Sequence, residues 1–309
     1  MEGYDASTYG DKIAGIYDDL YGTLFDVEAT VELLSHLAHG EPALELAVGT
    51  GRIALPLAAA GVEVTGIDIS VEMVARLRSK PGGEDIPVVI GDFADVDVEG
   101  AFGLVYLVFN TLFALTTQEN QVRCFDNVAK RLSADGVFVV EAFVPDITRF
   151  DGHQRTGVEE VTVDEVHLEA SRHDPVRQTI DTHHVVLKNG AQVELYPVFL
   201  RYAYPAELDL MARLAGLRLR NRWGGWHNEP FTSDSRFHVS VYETRLTRGP
   251  VGSFSGGSVT VSRWSCARSA SHAPQSRSPT KPTLSANARV SGALLLGPGV
   301  QSGPARLSG

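Results

Sequence analysis

The stretch LELAVGTGRIALP (Leu44–Pro56) runs an apolar strand into a glycine turn and out into a helix. Gly49 and Gly51 let the backbone turn sharply and come close to a ligand with no Cβ in the way. Glu45 sets an acid inside the strand that leads there. Around this stretch, short apolar strands alternate with helical segments: ALELAV, then RIALPLAAAG ending at Gly61, EVTGIDIS, VEMVARLRSK, PVVIGD, FGLVYLVF, QENQVRCFDNVAKRL and GVFVVEAF. Such alternation predicts a parallel sheet with helices on both faces. Ligands of these sheets sit at the carboxyl ends of the strands, near the point where strand order reverses.

Asp68 closes the second strand, where a carboxylate can accept both hydroxyls of a ribose. Two classes of enzyme share this much. A nicotinamide enzyme needs a third glycine to bring its helix close to a pyrophosphate, and GTGRIA supplies Ile53 and Ala54 instead. Glu45 also suits an amine-bearing ligand better than a pyrophosphate. LELAVGTGR, VTGIDIS and IGDF, in this order and spacing, resemble the class I S-adenosylmethionine-dependent methyltransferases. Their glycine motif reads Glu/Asp-x-Gly-x-Gly-x-Gly; here Ala47 stands at the first glycine, with Gly49 and Gly51 at the others. The resemblance extends over residues 1–244.

The resemblance implies an α/β fold: a Rossmann-like, seven-stranded, mostly parallel sheet whose last hairpin is reversed. It implies S-adenosyl-L-methionine as cofactor. Glu45 and the turn from Ala47 through Gly49 to Gly51 would line its methionine part, and Asp68 would take the ribose. Ile69 and Met73 would pack on the adenine, Asp92 would accept from its amino group and Phe93 would flank the ring. Phe109 would face the methyl-bearing end, with Asn110, Phe113, Tyr21 and Trp226 on the acceptor side. Plainer roles stand beside these. Ile69, Met73 and Trp226 are also ordinary core residues, Asp92 suits a turn, and Asp68 could serve as a helix cap, although Ser70 is the better placed cap.

Before the sheet, YDASTYGDKIAGIYDDLYGTLFD carries Tyr4, Tyr9, Tyr17 and Tyr21, the last two spaced to share one helical face. One reading is an amphipathic helix packed on the sheet. The other is a lid that excludes water and sets the catalytic tyrosines, Tyr9 and Tyr17, near the sulfonium. Small-molecule N-methyltransferases resembling this chain begin with a similar Tyr-Asp-x-x-Tyr element. After Pro145 the period becomes two: VEEVTVDEVHLEASRHDP, VRQTIDTHHVVLKNG and AQVELYPVFLRYAY read as long antiparallel strands roofing the site, with turns at His173–Pro175 and Asn189–Gly190. PAELDLMARLAGL is then a helix, and RLRNRW and FHVSVYETRL are closing strands.

The expected organisation is a helical lid (1–40), a cofactor-binding core (41–145), an antiparallel insertion (146–206), a closing helix and hairpin (207–248) and a basic, disordered tail (249–309). The tail is rich in Ser, Gly, Pro and Arg without apolar periodicity. All eight basic residues from Arg245 onward lie there or just before it, with no acid, so the net charge of −11 conceals a body of −19. A body so acidic repels phosphate backbones, which argues against nucleic acid as a partner. No apolar run approaches a membrane span, and Cys124 and Cys266 lack metal-site spacing. A cytoplasmic enzyme is expected. His183 and His184 adjoin in a strand and point to opposite faces, so they do not form a metal site; no metal is expected. His167, His183 and His227 are candidate bases, each equally readable as structural.

The expected function is methyl transfer to an amine of a small natural product of antibiotic or amino-sugar type, in a possible homo-oligomer. Three rivals stand: an O-methyltransferase, a nonenzymatic cofactor-binding module and a dehydrogenase. The acidic roof residues Glu159, Glu160, Asp164 and Glu165 would suit a cationic amine, or form a solvated face.

Overall fold

The computed structural model describes residues 1–21 and 26–244. The tail expected over residues 249–309, with Cys266, lies outside the described residues. Two sheets organise the chain, and the element order is helical at the start and alternating thereafter.

The larger sheet has seven strands in the order β10-β11-β5-β4-β1-β2-β3. Its members are β1 (Ala43–Leu46), β2 (Val64–Asp68), β3 (Val88–Ile90), β4 (Phe102–Leu107), β5 (Leu132–Phe143), β10 (Leu217–Trp223) and β11 (Phe237–Thr244). The inner pairs are parallel; only β11 runs against its neighbours β5 and β10. This is the seven-stranded, mostly parallel sheet with a reversed last hairpin. β1 and β4 are buried along their whole length, because helices cover both faces of a parallel sheet and leave no room for an alternating polar face. Strand order reverses between β1 and β4, so their carboxyl ends open a crevice.

The helices divide between the faces. α3 (Val27–Ala38) begins at Asp26, whose side chain accepts from the Ala29 N–H at 2.9 Å. Its Leu33, Leu34 and Leu37 pack with Leu57 of α4 (Ala54–Ala59) and Leu77 of α5 (Val71–Arg78). α6 (Gln118–Arg131) and α7 (Pro205–Leu214) lie in the other cluster, with Phe125 and Met211 against Phe138 and Tyr242. Thus the first forty residues split: α3 joins the core layer, while α1 (Thr8–Ile13) and α2 (Tyr17–Tyr21) pack separately around Ile13, Tyr21 and Met73.

The second sheet is antiparallel, β6-β7-β8-β9, formed by β6 (Gln154–Val161), β7 (Glu165–Asp174), β8 (Thr179–Lys188) and β9 (Glu194–Arg201). Four strands stand where the period-two reading gave three. The extra turn falls at Thr162–Asp164, where the Thr162 hydroxyl accepts from the Glu165 N–H at 3.0 Å. A hydroxyl turn of this kind uses no Gly, Pro or Asn, so the alternation runs through it unbroken. Among the described residues, no helix is long and apolar enough to cross a membrane.

Candidate active site

A cleft opens over the carboxyl ends of β1, β2 and β4, between α1, α2 and the antiparallel sheet. It encloses about 1080 Å³, including the solvent at its mouth.

Its floor is the glycine turn. Ala47, Gly49 and Gly51 have φ of +56°, +57° and +77°. Ala47 therefore holds a left-handed conformation at the position where the motif favours glycine, at a cost of about 1–2 kcal/mol. The two glycines do different jobs. A Cβ on Gly49 would find nothing nearer than the Ala47 carbonyl at 4.0 Å, so its missing side chain leaves open space on the cavity wall. A Cβ on Gly51 would press on Leu77 and Leu55 at 3.0–3.1 Å, so that glycine lets the turn pack against α4 and α5.

Asp68 fastens this turn to β2. Its Oδ2 accepts from the Gly49 N–H and its Oδ1 from the Ser70 N–H, both at 2.8 Å. A carboxylate offers about four lone-pair sites, so acceptor capacity remains toward the cavity that Asp68 lines. Burial raises its pKa, and the backbone N–H groups oppose that shift. The capping role falls to Ser70, whose hydroxyl accepts from Met73 N–H at 3.2 Å.

The end of β4 is held in an unusual shape. Phe109 and Asn110 are both left-handed, at φ +59° and +61°. Glu141, buried on β5, accepts the Phe109 N–H at 2.7 Å and the Trp226 indole N–H at 3.0 Å. Asn110 accepts the Phe143 N–H on its side-chain oxygen at 2.6 Å. Two consecutive non-glycine residues in this region persist only where surroundings over-determine them, and here Glu141 does so. Burial raises the Glu141 pKa, against the pull of its two donors.

Tyr4, Tyr9, Tyr17 and Tyr21 all line the cavity. The Tyr9 hydroxyl donates to that of Tyr21 at 3.3 Å, the Tyr17 and Tyr21 rings meet edge to face at 4.9 Å, and Tyr21 meets Phe109 at 5.2 Å. Burial keeps these phenols neutral: Tyr9 is pushed well above its ordinary value and Tyr21 up to about 12. The two short helices are pinned to the turn by Asp11, which accepts from the Ser70 hydroxyl at 2.6 Å, and by Asp18, which accepts from the Thr50 hydroxyl and pairs with Lys80, both at 2.7 Å.

A smaller recess beside the turn is lined by Glu45, Arg52, Tyr17 and Phe109. Burial drives Glu45 up to about 8, although Tyr106 donates to it at 3.0 Å and Arg52 is near. Arg52 lies over the Phe109 ring at 5.5 Å, and its charge opposes the rise that burial gives the Tyr17 pKa. An acid and a guanidinium in one recess complement the ammonium and carboxylate of an amino acid.

The structure therefore gathers Tyr9, Tyr17, Tyr21, Ala47, Gly49, Asp68, Ile69, Met73, Phe93, Phe109 and Asn110 on one cavity wall, with Glu45 in the adjoining recess. Four expected residues stand elsewhere. Gly51 lies beneath the turn. Asp92 bonds the Ala94 N–H at 2.8 Å and stands 3.8 Å from Arg123, as a turn residue does. Phe113 is fully enclosed in the core, edge-on to Phe143 at 4.9 Å. Trp226 packs with Val48 and Val239 and spends its N–H on Glu141, so it supports the site without lining it. Of the candidate histidine bases, His167 pairs with Glu165 and His227 with Asp26; with His183, they are absent from the cavity wall. Arg52, Glu141 and the roof residues Val198, Phe199 and Leu200 were not singled out by the sequence, and His184 was considered there only with His183 as a metal pair.

A reversed-hairpin sheet of this order, with a glycine turn and an acid at the ends of its first two strands, defines the class I methyltransferase fold. A family model described as a methyltransferase domain matches residues 43–136. The solved CcbJ methyltransferase of Streptomyces caelestis is 42% identical, covering 78% of this chain and 99% of its own, with a TM-score of 0.74. The cypemycin N-terminal methyltransferase of a Streptomyces species is 28% identical over 77% of this chain and 98% of its own length. A dTDP-4-amino-2,3,4,6-tetradeoxy-D-glucose N,N-dimethyltransferase of Saccharopolyspora spinosa is 29% identical over 44% of this chain and 56% of its own. The chain belongs to the S-adenosylmethionine-dependent methyltransferases. Its residues fit that cofactor: open space at Gly49, spare acceptor capacity on Asp68 and the Glu45–Arg52 recess.

Proposed function

We propose that the chain methylates an amine nitrogen of a small natural product, antibiotic or amino sugar, with S-adenosylhomocysteine as by-product. The observation that carries this reading is the tyrosine wall, with Tyr9, Tyr17 and Tyr21 facing the same cavity as Gly49 and Asp68. Neutral phenol oxygens and ring faces favour a cationic centre, and an amine acceptor becomes cationic as it is methylated. The names of two relatives, the cypemycin N-terminal methyltransferase and the amino-sugar N,N-dimethyltransferase, support nitrogen as the acceptor.

When bound, S-adenosylmethionine supplies an electrophilic methyl group for in-line displacement. The chain contributes alignment and exclusion of water. Asp68 and the Gly49 turn would hold the nucleoside, and Glu45 with Arg52 the amino-acid end. Tyr9 and Tyr17 would surround the reacting atoms, and the roof would close the acceptor side with Val198 and Leu200. A site this apolar also lowers the pKa of a substrate ammonium, so the amine arrives with its lone pair.

The test is a panel of peptides with free α-amines, amino sugars and phenols, incubated with methyl-labelled cofactor. Label on amine nitrogen is expected. Label on phenol oxygen alone would establish O-methylation instead, and cofactor binding without transfer would leave a nonenzymatic module.

A further inference from the structure

The antiparallel roof carries one pair of titratable side chains that the reading above does not use. Glu159 lies on β6 and His184 on β8, with β7 between them. The pairing of β6 with β7 shifts between Val158 and Glu160, which makes Glu159 the extra residue of a bulge. Bulges re-aim the side chain they carry, and they gather next to active sites. Here both carboxylate oxygens of Glu159 reach His184 Nδ1, at 3.0 and 3.1 Å. The two side chains are only 15% and 12% exposed.

An ionised carboxylate can only accept, so Nδ1 carries the proton. In the neutral ring the lone pair then belongs to Nε2. Among the described residues that nitrogen is buried without a hydrogen-bond partner, and His184 lines the cavity that Tyr21, Asn110 and Val198 also line. The other polar groups around the ring have their own partners. Glu169, opposite His184 on β7, is held by Arg149 at 2.9 Å, Arg155 at 3.3 Å and Ser171 at 2.6 Å. Tyr196, opposite on β9, donates to Glu194 at 2.8 Å. The charge of Glu159 also reaches Tyr21 and adds to the rise of its pKa.

We propose that His184 is the general base of the reaction and Glu159 its positioning residue, an inference that rests on the amine-methylation reading. The acceptor N–H donates to Nε2. The nitrogen lone pair forms the bond to the methyl carbon, the carbon–sulfur bond breaks with its pair left on sulfur, and the N–H proton passes to Nε2. One positive charge thus leaves the sulfonium and ends on the imidazolium, where Glu159 stabilises it until the proton is lost to water. The arrangement explains why a carboxylate is bulged out of register toward a ring that lines the cavity.

Nitrogen-15 NMR of the histidine-labelled full chain, with S-adenosylhomocysteine added, reads the tautomer without any acceptor. The Nδ1–H form is expected in the wild type and the Nε2–H form in Glu159→Gln, because a glutamine amide can donate to Nδ1. A wild-type Nε2–H tautomer overturns the proposal. With peptides and amino sugars bearing free amines, His184→Gln should lower kcat by roughly 10²–10⁴-fold, the usual worth of general base catalysis. The Kd for S-adenosylhomocysteine should stay within about twofold, and added imidazole should restore part of the rate to His184→Ala. Variants as fast as an active wild type sink the base alone. A wild type that binds S-adenosylhomocysteine but methylates none of these amines sinks the amine reading, and the base with it.

Discussion

Replacing Asp68 by asparagine removes one atom's worth of acceptor and leaves the shape unchanged, so its cost follows from the hydrogen bonds. Both carboxylate oxygens accept a backbone N–H at 2.8 Å, one from Gly49 and one from Ser70. An asparagine amide has one oxygen, so its NH₂ must face one of these two donors. Asp68 is 6% exposed, and a buried donor left without an acceptor costs about 1–3 kcal/mol. For a domain of this size each kcal/mol moves Tm by about 2–4 °C, so Asp68→Asn should melt roughly 2–12 °C below the wild type. Cofactor binding should suffer separately. Losing one charged acceptor for a ribose hydroxyl is worth about 1.5–3 kcal/mol, which is roughly a 10- to 150-fold weaker Kd for S-adenosylhomocysteine by calorimetry. A variant that melts with the wild type and binds S-adenosylhomocysteine equally well would refute both halves of the reasoning.

Three further outcomes are expected. Glu45 has a folded pKa near 8 against an ordinary 4.5, so the folded state holds its proton more tightly than the unfolded chain; the resulting stabilisation is complete below pH 4.5 and is lost as pH rises toward 8. Denaturant unfolding of wild type against Glu45→Gln, at pH 5.5 and 8.5, should show wild type losing roughly 3 kcal/mol relative to the variant, at 1.36 kcal/mol per pKa unit; equal pH dependence contradicts it. In Gly10→Ala the new Cβ would stand 2.7 Å from Ser70 Cβ and 2.9 Å from its hydroxyl, so α1 should lift from the turn, with kcat/KM falling by the equivalent of about 1–3 kcal/mol of overpacking; unchanged kinetics would show that α1 need not dock there. Tyr9→Phe and Tyr17→Phe should each lower turnover by more than they weaken S-adenosylhomocysteine binding, and unchanged turnover in both would remove the phenols from the chemistry.

What the sequence disclosed followed local rules. The alternating strands and helices, the turn at Gly49 and the acid at Asp68 lie within one strand–turn–helix–strand unit, and all appear where the periodicity and the glycines put them. Tyr17 and Tyr21 share one short helix and the cavity, as their local spacing implied, while Tyr9 reaches it from α1 and Tyr4 from the segment before it. What stayed hidden depended on contacts across the fold. Glu141 stands 32 residues from the Phe109 N–H it holds, and Trp226 looked like a pocket residue until its bond to Glu141 fixed it in the core. Phe113 stands between Thr111 and Ala114, which line the cavity, yet the 3-10 turn at Thr111–Ala114 directs it inward. Arg52 was in plain view in GTGRIA, seven residues after Glu45. The pairing of Glu159 with His184 required knowing that β6 carries a bulge, which neither side chain announces.

The central claim is that the nucleoside lies on Asp68 over the Gly49 turn, with its sulfur facing the tyrosine wall. A crystal structure of the full chain with S-adenosylhomocysteine tests it most directly. The account predicts ribose hydroxyls within hydrogen-bond distance of the Asp68 carboxylate and the amino-acid end in the recess of Glu45 and Arg52. By-product bound elsewhere, with the turn empty, would contradict it.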